Sequence, residues 1–585
     1  MRLLLLLFFA IPLVAKDHIA VYRLGHVTGE TIPEPGLNEI MGKNKIRPLN
    51  FMHLLSCLNY CKGKNEVKAV VLYTQGMRLG LAQKQELARR IREVRSSGKE
   101  VYLYAYGLDE STLPLAQSTQ VSLFPHGEVS FRGISMQQLY FKGMLDKLGL
   151  KADLIHIGDY KSAGEPFYLT KPSPEAAEQQ LKLGEAIFAE LTHECSLSER
   201  KSMEDYSQLI EKGFFAGSES VNAKIVDKLE YHNHFIKRIK DKYPSAKLTL
   251  NYGMPKGFKP PQINNMMDAF AFLQKLSAPK REPQGDILSL VNLDGTIEPI
   301  MAEKLRRHIL RAAHNKKVKA MVLRINSPGG SALASEMICQ ATEVFTKTGK
   351  PFIVSFANVA ASGGYYAAVF GKPIFAENAT ITGSIGVFGG KLVTSGMMDK
   401  IGITTHQVKI GKYSDINSSI SPFNEVQREK VIESMLRVYD NFKGRVMQGR
   451  KDQLKGDLES MAGGRVYTGR QAKELGLVDE IGGLREAINE AKKQAKMEKY
   501  RLDIYPEQLT FEELIMESFR PQKEEDEFVS LSIKSQDFLK MDWLSQILGT
   551  MKVSNPELVR EIQRFLGYVT LLKEQNVLLL DPRFN

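Results

Sequence analysis

Cysteine is scarce in this chain: four in 585 residues, Cys57, Cys61, Cys195 and Cys339. That excludes a fold held together by a disulfide framework. Cys57 and Cys61 lie four apart in an apolar segment with helical spacing and read as core residues. No Cys/His cluster has the spacing of a zinc site, so no metal is expected, and no motif asks for a cofactor. Beyond the N-terminus, no apolar run approaches the roughly 20 residues that a membrane-spanning helix needs. Basic residues outnumber acidic ones, 79 to 67, for a net charge of +12 and a pI of about 9.1. They form no block interleaved with aromatics and no nucleic-acid recognition motif, so nucleic acid is not expected as a partner. The balance suits a solvated basic surface or attraction to anionic lipid headgroups.

What is present is ordinary for a globular protein: 43% hydrophobic and 25% charged residues, in a chain long enough for roughly three to five domain-sized units. The N-terminus runs Met1-Arg2, an apolar stretch from Leu3 to Ala15, then Lys16-Asp17. One positive charge before a short apolar run has the form of a secretion signal, and Pro12 suits a cleavable signal better than an anchor. Residues 1–15 are therefore expected to be a signal peptide or short anchor, and the protein to be exported.

The rest of the chain contains a loose copy of itself. Val67-Lys68-Ala69-Val70-Val71-Leu72 returns 251 residues later (67 to 318) as Val318-Lys319-Ala320-Met321-Val322-Leu323. Ala216-Gly217, with Asp227 downstream, matches Thr468-Gly469 with Asp479, and Gly158-Asp159-Tyr160-Lys161 matches Gly411-Lys412-Tyr413-Ser414. Within this layout the second half holds Ser362 in a small-residue cluster, and the first holds Lys161. Ser111, without glycines, stands opposite Ser362, and Ser414 stands opposite Lys161. A duplication that separates a nucleophile from a base suggests one site shared between repeats.

Each half alternates short β-type runs with helical patterns. In the second half the spacing predicts strands at 287–293, 318–325 and 352–356, helices over 302–316 and 331–347, a helix starting near Ser362, a short strand from Pro373, and a long helix over 425–450. The first half offers strands at 19–24, 67–73, 101–106 and 153–157, and a helix over 83–95. This alternation implies parallel sheets with right-handed crossovers, stacked as spiral-like α/β domains. The expected divisions are 1–15, an N-terminal repeat over 16–254 carrying the lysine, a Pro/Lys-rich linker over 255–284, a C-terminal repeat over 285–499 carrying the serine, and an extension over 500–585. That extension shows a charged break at 523–527 and an amphipathic helix over 556–572, but no chemistry.

Three motifs carry the chemistry. Ser362 lies in Val359-Ala360-Ala361-Ser362-Gly363-Gly364-Tyr365-Tyr366, after a strand and before a helix. That places it at a helix N-terminus, where free N–H groups stabilise negative charge. The layout is that of a nucleophile elbow, although Ala360 replaces the first glycine of G-x-S-x-G; a plain N-cap serine is the competing reading. Asn326-Ser327-Pro328-Gly329-Gly330-Ser331 exposes backbone donors after the preceding strand, so the N–H groups of Gly330 and Gly363 could form an oxyanion hole, against a plain strand-to-helix turn. Lys161, just past an apolar strand, could serve as a base if enclosed, because desolvation would lower its pKa; alone it would read as a surface lysine. His156, His308 and His314 lack a supporting motif for a Ser-His-Asp triad.

Gly158-Asp159-Tyr160-Lys161-Ser162-Ala163-Gly164-Glu165-Pro166-Phe167, Asn326-Ser327-Pro328-Gly329-Gly330 and Ala361-Ser362-Gly363-Gly364-Tyr365-Tyr366 together resemble the signal peptide peptidase A (protease IV) family in its long, duplicated form. The resemblance covers essentially the whole chain. It implies a crotonase-like (ClpP-like) fold for each half and a Ser/Lys dyad, with Ser362 as nucleophile and Lys161 as general base. Thr382-Gly383-Ser384-Ile385-Gly386 matches a family segment whose serine helps position the lysine, which makes Ser384 the third residue. It also implies a homotetramer at the periplasmic face of the bacterial cytoplasmic membrane, cleaving hydrophobic remnants of signal peptides. The N-terminal apolar run is shorter than the anchor of the long form. The rival readings are a broader exported protease for misfolded proteins, an acyl-CoA enzyme of the same fold class, against which the export signal argues, and a catalytically silent membrane-surface scaffold.

Overall fold

The computed structural model describes residues 17–31, 49–197, 203–254, 285–506 and 577–580. The expected signal segment, the linker and most of the extension, including its amphipathic helix, lie outside the described residues. The described residues divide into two compact units: one of those within 17–133 and 191–254, the other of those within 134–190 and 285–580.

The first unit is built on a seven-stranded sheet. Strands β1 (His18–Arg23), β2 (Val67–Tyr73), β3 (Glu100–Asp109) and β4 (Gln120–Ser130) lie side by side and parallel, with Lys247–Leu250 beside β1. Their alternate residues are Val, Leu, Ala and Tyr, and both faces are covered, as a parallel sheet requires. Cys57 and Cys61 lie on helix α1 (Phe51–Lys62) within this core. Burial pushes the Cys57 thiol up to about 12, with Cys61 adding to the shift, so it is an inert core thiol.

The second unit has two sheets. In the larger, eight-stranded one, β6 (Ile287–Asp294), β7 (Val318–Ser327), β9 (Phe352–Ala361) and β10 (Ile381–Gly383) follow one another; a smaller, four-stranded one contains β5 (Lys151–Ile157), β8 (Gly329–Ser331), β11 (Val387–Val393) and β12 (Val577–Leu580). Helices α3 (Pro299–His314) and α4 (Ala332–Lys347), which follow α2 (Leu81–Ser96) of the first unit in chain order, contribute Ile309, Ile338 and Phe345 to the core beneath the larger sheet. The duplication is visible in its fastenings. The Asp227 carboxylate accepts from the Val121 N–H at 2.6 Å, and the Asp479 carboxylate from the Ile374 N–H at 2.7 Å. Lys99 and, 251 positions on, Lys350 each donate to backbone carbonyls just before β2 and β7 respectively.

The compact units do not follow the repeats. Residues 134–190 belong to the N-terminal repeat by sequence but to the second unit in space, because β5 pairs antiparallel with β11 along its whole length, from Lys151 opposite Val393 to Ile157 opposite Val387. Lys161 and Ser362 therefore share one compact unit.

Candidate functional site

The site forms where the chain passes from one sheet of the second unit to the other. Two crossings made directly from strand to strand form it: through Pro328 between β7 and β8, and through Ser384-Ile385-Gly386 between β10 and β11. β9 ends beside the second crossing, with Ala361 opposite Gly383, and the Ser362 N–H donates to the Gly383 carbonyl at 2.8 Å. β5 ends beside the same crossing, and the chain turns at Gly158 to present Lys161.

These placements bring three expected residues together. Lys161 Nζ lies 2.8 Å from Ser362 Oγ, 2.9 Å from Ser384 Oγ and 3.0 Å from the Ser384 carbonyl oxygen. Lys161 is 1% exposed, and Ser362 and Ser384 are 0% exposed. Both serines have left-handed backbones, Ser362 at φ 54° and Ser384 at φ 55°. For a side chain with a Cβ this is strain of about 1–3 kcal/mol, of the kind that concentrates at functional sites. The simple N-cap reading of Ser362 fails, because its side chain makes no capping hydrogen bond to the short helix α5 (Gly363–Ala368). β9 also runs further than the sequence predicts. Residues 359–361, placed there in the small-residue cluster beyond the strand, pair with β10, so the bend falls on Ser362.

The two glycines expected to supply backbone donors lie together. Only glycine fits at 330, where a Cβ would sit 2.2 Å from the Ile297 carbonyl oxygen, and a Cβ on Gly363 would lie 3.3 Å from the Gly330 nitrogen. Strand β12 pairs antiparallel with β8, Gly330 opposite Leu579, and with β11, Phe388 opposite Leu578. The last described stretch of the chain is thus a strand lying directly on the Gly329–Ser331 edge.

The histidines are engaged elsewhere. His156 is exposed, with Nδ1 3.0 Å from the Gly158 carbonyl; His308 stacks on Tyr505; His314 Nδ1 is 2.7 Å from the Leu310 carbonyl. In the first unit, the Ser111 counterpart of Ser362 donates to Asp109 at 2.8 Å and accepts from Lys84 at 2.7 Å on α2, on a backbone without the left-handed bend. A carboxylate holds that hydroxyl proton. Burial lowers the pKa of the Lys84 amine, and nearby Asp109 opposes the shift. Ser414, opposite Lys161, is exposed and donates to the Gly411 carbonyl. Among the described residues, no group of His, Cys, Asp and Glu is placed to hold a metal ion.

The model of peptidase family S49 matches this chain twice, over residues 93–244 and 344–498. The chain is 31% identical to Protease 4 of Haemophilus influenzae, over 78% of this chain and 75% of that protein. The chain belongs to peptidase family S49. It is accordingly a serine peptidase with a duplicated α/β fold of the ClpP-like type, as the motif resemblance implied. Protease 4 of Salmonella typhi is 27% identical over 84% of this S49 chain and 81% of its own length. The chloroplastic serine protease SPPA of Arabidopsis thaliana is 29% identical over 74% of this chain, and the match spans 64% of the plant protein. A ClpP1 mutant from Listeria monocytogenes matches 34% of this chain and 94% of its own, at 16% identity and a TM-score of 0.23.

What sequence reasoning missed is the turn Gly463-Gly464-Arg465, which runs along the site between the Lys161 and Ser384 turns: Tyr160 N–H donates to the Gly463 carbonyl at 2.9 Å, and Ser384 N–H to the Arg465 carbonyl at 2.6 Å. Its one legible signal was a glycine pair before the strand Val466–Thr468, where the first repeat has Gly213 followed by two phenylalanines.

Proposed function

We propose that this S49 peptidase hydrolyses peptide bonds with a Ser362/Lys161 dyad, acting on apolar peptides such as cleaved signal peptides. The observation that carries the reading is the buried 2.8 Å contact between Lys161 Nζ and Ser362 Oγ. A neutral amine has two N–H donors and one lone pair. Such an amine can donate to the two Ser384 oxygens, at 2.9 and 3.0 Å, and take the Ser362 hydroxyl proton on its lone pair. This arrangement needs the amine uncharged.

The steps follow. Ser362 Oγ attacks the scissile carbonyl carbon, and its proton passes to Lys161 Nζ. The resulting oxyanion lies against the N–H groups of Gly330 and Gly363. The C–N bond then breaks, and the leaving amine takes the proton from Lys161. Water, deprotonated by the same amine, releases the acyl group and restores Ser362. A substrate backbone entering as a strand would pair with β8 and β11, the edges that β12 covers, so β12 leaves before the substrate binds. The expected setting is the periplasmic face of the bacterial cytoplasmic membrane after export, as a homo-oligomer, a tetramer in the family reading, with the basic surface toward anionic lipid. Among the described residues no helix is long and apolar enough to cross a membrane.

The test is digestion of a synthetic signal peptide and of an unfolded polar protein, with products read by mass spectrometry. The reading expects internal cleavage of the apolar peptide, abolished by Ser362→Ala. Cleavage of the unfolded protein alone would replace the substrate class with that of a general exported protease.

A further inference from the structure

We infer that the turn Gly463-Gly464-Arg465 is the positioning element of the dyad: it brackets the turn carrying Lys161 against the turn carrying Ser384, and so fixes where the amine sits. The inference rests on the reading above that Lys161 is the base.

Three backbone hydrogen bonds make the bracket. Tyr160 N–H donates to the Gly463 carbonyl at 2.9 Å, immediately before the lysine. Gly464 N–H donates to the Ile385 carbonyl at 2.8 Å, and Ser384 N–H to the Arg465 carbonyl at 2.6 Å, both within the crossing between sheets. Consecutive residues of one turn thus hold the base on one side and the serine that orients it on the other. Side chains brace the same turn. The Arg465 guanidinium stacks over the Tyr160 ring at 4.1 Å. Gly463 N–H donates to the Tyr439 hydroxyl at 3.1 Å, which itself donates to Glu459 at 2.8 Å. Tyr439 lies on helix α6 (Glu425–Arg450), so the turn is tied to the core of the unit. The buried Gln179 side chain both accepts from and donates to the Val466 backbone at 3.1 Å, fixing the exit of the turn.

The fit leaves no slack. Gly464 has φ +87°, and a Cβ there would lie 2.4 Å from Lys161 N, 2.6 Å from its Cα and 2.8 Å from its Cβ. The first two are backbone atoms and the Cβ is fixed to them, so none can swing aside and any side chain at 464 must displace the lysine itself. An ångström of displacement of a catalytic group costs on the order of 100-fold in rate, because the proton transfer depends on hydrogen-bond distance. None of the three residues of the turn reacts; they act through where they hold Lys161.

The experiment measures kcat, KM and the pH profile of kcat for Gly464→Ala and Tyr439→Phe on a fluorogenic apolar peptide, with thermal unfolding as the check on folding. For Gly464→Ala the expected result is a fall in kcat of about 100-fold with KM nearly unchanged. The acid limb should move to higher pH, so that the deficit narrows in alkaline buffer, because the displaced amine is less enclosed and holds its proton more readily. Tyr439→Phe, which removes one brace and touches neither Ser362 nor Lys161, should lose about tenfold with the same direction of shift. If Gly464→Ala does not fold, Tyr439→Phe decides. A variant that loses stability but keeps the wild-type pH limb and kcat overturns the inference and leaves the turn merely structural. The dyad reading fails separately: if Lys161→Met retains activity, Lys161 is not the base, whereas an inactive Lys161→Met beside a normal Gly464→Ala sinks the positioning role alone.

Discussion

Replacing Ser384 by alanine isolates the orientation of the base. The Lys161 amine lies against two oxygens of this residue, the hydroxyl at 2.9 Å and the carbonyl at 3.0 Å. Alanine keeps the carbonyl, the Cβ and therefore the backbone cost of φ 55°, and removes only the hydroxyl. One N–H of a 1%-exposed amine is then left without that acceptor and can turn toward Ser362 Oγ, which puts the lone pair in the wrong direction. An unmade hydrogen bond in a buried site costs about 2 kcal/mol, which corresponds to a loss of roughly 30-fold in kcat. KM should hardly move, because Ser384 contacts the base and not the substrate. Ser384→Gly separates activity from stability: it loses the same hydroxyl but relieves the left-handed strain, so it should be more stable by about 1 kcal/mol and equally slow. The assay is steady-state cleavage of an apolar fluorogenic peptide at several pH values beside thermal unfolding. A folded Ser384→Ala whose kcat stays within about twofold of wild type would refute the reasoning.

Other perturbations have equally definite outcomes. Arg450 is fully buried, with two 2.8 Å bonds to the Asp479 carboxylate, so Arg450→Met should destabilise the second unit by about 3 kcal/mol in denaturant titration, since it strands a carboxylate. In the first unit, burial alone would raise the Glu100 carboxyl, but hydrogen bonds from Lys242, Tyr102 and Tyr243 outweigh it and bring it down to about 2. Its folded pKa lies below the ordinary value, so its contribution is present above about pH 4.5 and lost as pH falls toward 2; after allowance for partial exposure, Glu100→Gln should remove about 1 kcal/mol at pH 7 and nothing near pH 2, by urea unfolding. A chain ending at residue 576 lacks β12, which covers the Gly329–Ser331 edge, and should cleave short peptides severalfold faster; slower cleavage would mean that the strand completes the site instead.

Much of the site was legible because duplication supplies an internal comparison. Lysine is common and any single one reads as surface, but Lys161 stood out by facing Ser414 in the other repeat. Strand positions were readable wherever apolar runs are short and bounded by turn residues: the helix over 425–450 and the strand over 67–73 fall where the pattern puts them. What could not be read depends on partners distant in sequence. Residues 359–361 are strand only because 381–383 lie beside them. The two crossings between sheets, the left-handed bends at Ser362 and Ser384, and the 463–465 turn leave no periodicity, because each is set by backbone contacts across tens to hundreds of residues. Nor could the tail reveal a strand role, since four apolar residues at 577–580 gain meaning only from the edge they pair with.

The central claim is that Lys161 activates Ser362. Its most direct test is the rate at which a fluorophosphonate phosphonylates Ser362 Oγ with loss of fluoride, the adduct located by mass spectrometry, in wild type and in Lys161→Met shown to be folded. The account expects Ser362 to be labelled in wild type, faster as pH rises, and to be essentially unlabelled in Lys161→Met at every pH. Labelling of Ser362 at the wild-type rate without Lys161 would contradict it.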